Sequence, residues 1–171
     1  MNDTQATTAT TNTAAVPATD AALAGQPVGY WTGLAHREVI AYIRSRQAEI
    51  GITQPQFWLL RNLSADDLSP DGAPQSLEEL AEAMSTYLLP TDDLGPEAAA
   101  LVARGWLAEE GDGRVRITPE GEAARLRVKE IGPSVRAHIH EGISDADYAT
   151  TVRVLQRMIA NVAGAAGESR P

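Results

Sequence analysis

The sequence contains no cysteine. That absence excludes a disulfide framework, a thiol nucleophile and a thiolate metal site, and it fits a reducing, cytoplasmic setting. No apolar run approaches the roughly 18 residues that a membrane span needs, so no membrane partner is expected. The first 25 residues hold neither Lys nor Arg and are dominated by Ala and Thr. A secretory signal needs a basic start and an apolar stretch, and neither is there. With few large apolar side chains to offset ordering entropy, residues 1–28 are expected to form a disordered tail. Residues 164–171 read as a second frayed end. Catalytic motifs are missing as well. There is no nucleophile elbow, no Gly-rich phosphate loop and no carboxylate pair in a recognisable setting. Asp92 and Asp93 read as a helix start. The expectation is a protein that is not an enzyme and carries no cofactor.

What is present is a chain of 171 residues, 43% of them apolar, enough for one domain with a sizeable core. Trp31, Ala35, Val39, Ile43 and Ile50 keep helical spacing. Gly51 ends that helix. Thr53 and Gln56 then form a capping box with Pro55 in the first turn, opening a helix over Pro55 to Leu63. An acidic loop covers Ser64 to Gln75. A second box, Ser76 with Glu79, opens a short helix from Leu77 to Met84. Beyond the connector Ser85 to Asp93, a helix runs from about Gly95 to Arg104. Its one-sided apolar residues are Leu94, Ala98, Leu101 and Val102.

After Gly105 the period changes. Trp106 to Glu109 and Arg114 to Ile117 read as strands, joined across Gly111-Asp112-Gly113 as a hairpin. Thr118 caps a long helix with Pro119 at its first position, and the helix runs to about His140. Pro133 inside it predicts a kink or a break. Ser144 and Asp147 cap the last helix. Its residues Tyr148, Val152, Leu155, Ile159 and Val162 are spaced 4, 3, 4 and 3, a seam suited to packing against another helix. His138, His140 and Glu141 do not make a metal site. Positions i and i+2 of a helix point apart, and a third ligand is lacking, so no metal is expected.

The order of elements predicts a mainly α fold: a winged helix-turn-helix with a two-strand wing and long helices at both ends. Particular segments resemble the MarR-type transcriptional regulators. Ile52-Thr53-Gln54-Pro55-Gln56-Phe57-Trp58-Leu59-Leu60 is similar to the start of their second helix. Ser76-Leu77-Glu78-Glu79-Leu80-Ala81 is similar to the first helix of their helix-turn-helix. Leu101 to Leu107 resembles the end of their recognition helix, and Arg116-Ile117-Thr118-Pro119-Glu120-Gly121 the exit from their wing. The resemblance covers about residues 29–163. His140-Glu141-Gly142-Ile143-Ser144 and Met158-Ile159-Ala160-Asn161-Val162 resemble an actinobacterial-type branch.

The resemblance implies a homodimer built by residues 29–52 and 119–163, with 53–118 as the lobe that binds double-stranded DNA. It implies Tyr148, Val152, Leu155, Ile159 and Val162 at the dimer interface. It implies DNA contacts from Arg114 and Arg116 on the wing, with Arg104, Ser85, Thr86 and Thr91. It also implies a pocket for a small aromatic ligand, for which Trp31, His36, Tyr42 and Trp58 are the candidates. One feature departs from the pattern. Between Asp66 and Asp112 there are 12 acidic residues and one basic, Arg104, within a chain of net charge −9. DNA affinity rests largely on cations that neutralise phosphates. A second reading therefore stands beside the first: a winged-helix dimer that has lost DNA binding and binds protein or small molecules.

Overall fold

A computed structural model describes residues 19–168, with side chains to residue 163. The terminal stretches 1–18 and 169–171 lie outside the described residues. The chain divides into two compact units at Glu38 and Val39. The first unit contains α1 (Asp20–Ala24), whose N-cap is Thr19. This single turn falls inside the stretch expected to be a tail. Helix α2 (Val28–Glu49) begins in the same unit and ends in the second.

The second unit continues with α3 (Gln54–Leu63), α4 (Leu77–Met84) and α5 (Leu94–Ala103), then strands β1 (Leu107–Glu109) and β2 (Val115–Ile117). It closes with α6 (Pro119–Ile139) and α7 (Asp145–Glu168). Both expected capping boxes form. Thr53 Oγ1 accepts from the Gln56 N–H at 3.2 Å and Ser76 Oγ from the Glu79 N–H at 3.2 Å. Each box satisfies helix-start donors that no turn above can reach. The strands pair antiparallel, Leu107 opposite Ile117 and Glu109 opposite Val115. Gly113, at φ +81°, supplies the left-handed residue of the turn. Gln75 joins the hairpin through an isolated bridge to Val115, with N–H···O distances of 3.0 and 2.9 Å. That bridge lies within the segment read from sequence as a loop.

The core sits where α3, α4, α5 and the hairpin meet. Leu59, Leu60, Leu63, Leu80, Met84 and Leu101 are fully buried there, and Ala124 and Val128 of α6 complete it. One contact explains the Thr-Pro-Glu-Gly run. A Cβ on Gly121 would lie 2.1 Å from the Trp106 carbonyl oxygen and 2.8 Å from Ile117 Cγ1. Only glycine lets α6 start this close to the wing.

Two long helices differ from expectation. Pro133 does not break α6, which is helical from Pro119 to Ile139. Gly132, Pro133 and Ser134 are exposed, as is Lys129, whose carbonyl the proline cannot pair with. Water can satisfy that carbonyl, so the cost of the proline stays local. Helix α7 reaches Glu168, past the point where fraying was expected. Ser144 Oγ accepts from the Asp147 N–H at 3.1 Å and donates to Asp147 Oδ2 at 2.6 Å, which starts that helix as read.

Candidate nucleic-acid interface and pocket

Helix α5 is the expected recognition helix, and its acidic start is largely tied down. Arg44 holds Asp92 in a fork, Nη1 to Oδ1 at 2.9 Å and Nη2 to Oδ2 at 2.6 Å. The Leu89 N–H donates to the same carboxylate at 2.7 Å. The hydrogen bond from Arg44 outweighs burial and keeps the Asp92 carboxyl below its ordinary pKa, while the Arg44 guanidinium is raised. Asp93 caps α5, accepting from the Gly95 N–H at 3.0 Å. Glu97 accepts from Thr53 Oγ1 at 2.9 Å and from Gln56 Nε2 at 2.7 Å. Asp92 and Glu97 thus join α5 to α2 and α3. The sequence showed acids at a helix start but not their distant partners.

The remaining surface of α5 is small and apolar. Pro96, Ala99 and Ala103 are exposed, and no side chain of the helix is a hydrogen-bond donor. The expected DNA contacts surround it. Arg114 pairs with Glu79 at 2.8 Å and with Asp112 at 3.3 Å, and Arg116 pairs with Glu110 at 2.6 Å. Bonding to the Ser76 N–H and then to Arg114 holds the Glu79 carboxyl below its ordinary range. Arg104 donates to the Gly51 carbonyl at 2.7 Å and lies over Trp106. Ser85 ends α4, while Thr86 and Thr91 are exposed in the connector.

Tyr42 and Trp58, the candidate pocket residues in the second unit, do not line its apolar cavity. Trp58 stacks on Tyr87 at 3.9 Å between ring centroids, and the Arg61 guanidinium lies 4.5 Å over it. Tyr42 stacks on His138 at 4.8 Å. Trp31 and His36 belong to the first unit, where Trp31 meets Tyr30 edge-on. The cavity lies instead between α2, α3 and α6 and holds about 390 Å³. Apolar walls come from Ile43, Phe57, Val128, Ile131 and Val135, and polar groups from Gln47, Arg61 and Lys129. Gln47 is 5% exposed, and its Oε1 meets no donor. A buried acceptor left unpaired costs free energy.

Below the cavity, Asp67 gathers three cations. Arg61 and Arg125 each reach it at 2.9 Å, and Lys129 at 3.3 Å. Arg125 is 2% exposed and also donates to Glu122 at 2.7 Å. Burial pushes the Asp67 pKa up, but Arg61 and Lys129 outweigh it and the net shift is down. The cluster pins the loop after α3 to α6. Gln47, Arg61, Asp67 and Lys129 were missed in the sequence. Gln47, Arg61 and Lys129 lie on three different helices and Asp67 in the turn after α3, so no local pattern joins them.

Comparison with known proteins agrees with this geometry. No protein-family model matches the sequence, and no curated protein does. Solved structures do. The reduced form of MarR from E. coli matches with a TM-score of 0.61 at 19% identity, over 78% of this chain and 93% of that one. The chain has the MarR fold. The Mycobacterium tuberculosis MarR family protein Rv2887, solved in complex with DNA, matches with a TM-score of 0.60 at 20% identity, over 78% of this chain and 98% of that one. Rv2887 was also solved with p-aminosalicylic acid, and that structure matches with a TM-score of 0.57 at 20% identity over the same shares. Scores this similar for an enterobacterial and an actinobacterial protein do not single out an actinobacterial branch of the MarR fold. Among the described residues no helix is long and apolar enough to cross a membrane.

Proposed function

We propose that this protein is a dimeric, DNA-binding transcriptional regulator of the MarR type that responds to a small molecule. The observation that carries this reading is the fold match, which extends to structures solved with DNA, Rv2887 and an E. coli MarR mutant on operator DNA. In this reading residues 29–163 form the working body and 53–118 the DNA-reading lobe. Helix α5 approaches the major groove with Asp92 and Glu97 turned away from it. Arg114 and Arg116 meet phosphates, assisted by Arg104, Ser85, Thr86 and Thr91. The wing's ion pairs are solvent-exposed and open at little cost, so phosphate can replace their carboxylates.

Two further features support the reading. The seam of α7 is uncovered in the single chain, with Ile159 66% and Val162 68% exposed. Exposed apolar stripes of this kind mark an interface with a second chain. The cavity beside the Asp67 cluster offers an apolar body, cations and an unpaired acceptor, a setting for a small ligand.

The test is selection of binding sites from random duplex, followed by titration against salt. Replacing both Arg114 and Arg116 by Ala should weaken binding to every duplex and lower the salt slope by about 2 per wing, or about 4 for the dimer. An unchanged slope removes the wing from the interface. The absence of donors on α5 favours the second reading, a winged-helix dimer that no longer binds DNA. That reading prevails if no duplex is retained even at low salt.

A further inference from the structure

Helices α4 and α5 and the hairpin share a groove of about 230 Å³. Its floor is apolar: Leu77 of α4, Ala98, Ala99 and Val102 of α5, and Val115 of β2. Glu109 and Glu110 stand on its lining. Arg116 neutralises Glu110. Glu109 has no cationic partner among the described residues, and neither do Glu78 and Glu82 on α4, the helix that supplies Leu77. The groove therefore combines room for one apolar side chain with surplus negative charge. A phosphate backbone has the wrong sign for this combination.

We infer that the groove docks a basic linear segment of a partner protein. One apolar side chain of that segment fills the space over Ala98, Ala99 and Val102. A Lys or Arg beside it meets Glu109. Charge complementarity identifies the occupant, because an acidic rim steers cationic partners and disfavours duplex. This goes beyond the DNA reading. The groove borders the face proposed for DNA, so partner and duplex exclude each other and the partner becomes a second input to the regulator.

The test pans a phage library of random dodecapeptides on the full chain at physiological salt. Enriched peptides should carry several Lys or Arg around one apolar residue. A synthetic copy of the best should bind the Ala99→Leu variant about tenfold more weakly, because the new side chain fills the groove without changing charge. The Glu109→Lys variant should also lose affinity, by a salt-sensitive amount. Thermal unfolding of both variants should match the parent protein, since both positions are exposed. Enrichment of neutral or acidic peptides overturns the proposal. So does peptide binding that Ala99→Leu leaves unchanged, because attraction to acidic surface alone would then explain it. If random duplex binds more tightly than the peptide and loses affinity on Ala99→Leu, the groove belongs to nucleic acid and the proposal falls while DNA binding stands.

Discussion

Asp67 and Arg125 show what single residues do in this fold. Arg125 is a charged side chain buried as deeply as the core residue Leu107, and Asp67 is its partner across 58 positions of sequence. Removing one member of a buried pair leaves the other undercompensated, here with only Glu122 still bonded to Arg125. Asp67→Ala should therefore destabilise the protein by about 3–5 kcal/mol, measured as urea unfolding followed by circular dichroism. A loss below about 1 kcal/mol would mean that water reaches Arg125 and that the cluster is ornamental. The same residues set a pH dependence. The carboxyls of Asp92 and Asp67 both ionise below their ordinary range in the folded chain. Each binds protons more weakly folded than unfolded, so the stability it adds is complete above the unfolded value near about 4. That stability is lost as pH falls through the folded values. The urea midpoint should stay level between neutral pH and about 5, then fall below about 4. Asp92→Asn should remove part of the acid-dependent fall. An equal fall in parent and variant would assign the effect to other carboxylates.

Elements were legible wherever their causes are local. Capping boxes at Thr53 and Ser76 and a glycine turn at Gly113 involve residues within a few positions of each other, and sequence alone located them. The wing was legible for the same reason, within one residue at each strand. Contacts made at a distance were not. The bridge from Gln75 to Val115, the fork from Arg44 to Asp92 and the bond from Gln56 to Glu97 each cross 40 or more positions. Composition cannot reveal such partners, so the acid run looked like free charge when part of it was already neutralised. The cavity illustrates the same limit. Large aromatics suggested its walls, yet Trp58 is stacked on Tyr87 with Arg61 over it, and Phe57 with aliphatic residues of three helices lines the space. Pro133 was read by a local rule that solvent access to α6 relaxes. Pro133→Ala should raise stability, by up to about 3 kcal/mol. Differential scanning calorimetry checks this, and a lower Tm in the variant would mean that the proline is compensated elsewhere. Gly121 makes the opposite case. Gly121→Ala should cost about 1–3 kcal/mol or more through its clash with the Trp106 carbonyl, readable in the same scan.

At the scale of the whole molecule, the last helix leaves apolar surface uncovered. The last helix has no fully buried side chain among its described residues, and its apolar seam from Tyr148 to Val162 faces outward. A helix of this length is stabilised in water mainly by packing, not by propensity. Leu155→Asp should therefore shift sedimentation toward the monomer at micromolar concentration and lower helix content. A parent protein that already sediments as a monomer there would remove the dimer from the proposed function.

The Asp67 cluster has one more consequence. Lys129 is the only lysine in the sequence, half-exposed beside the cavity and 3.3 Å from Asp67. No other side-chain amine is present, so acylation above the pKa of the α-amino group, with that terminus blocked, modifies only this one position per chain. A fluorophore coupled there would sit at the cavity's edge with defined stoichiometry. Any small molecule that fills the space would change the coupling rate or the emission, which makes the protein its own screening reagent.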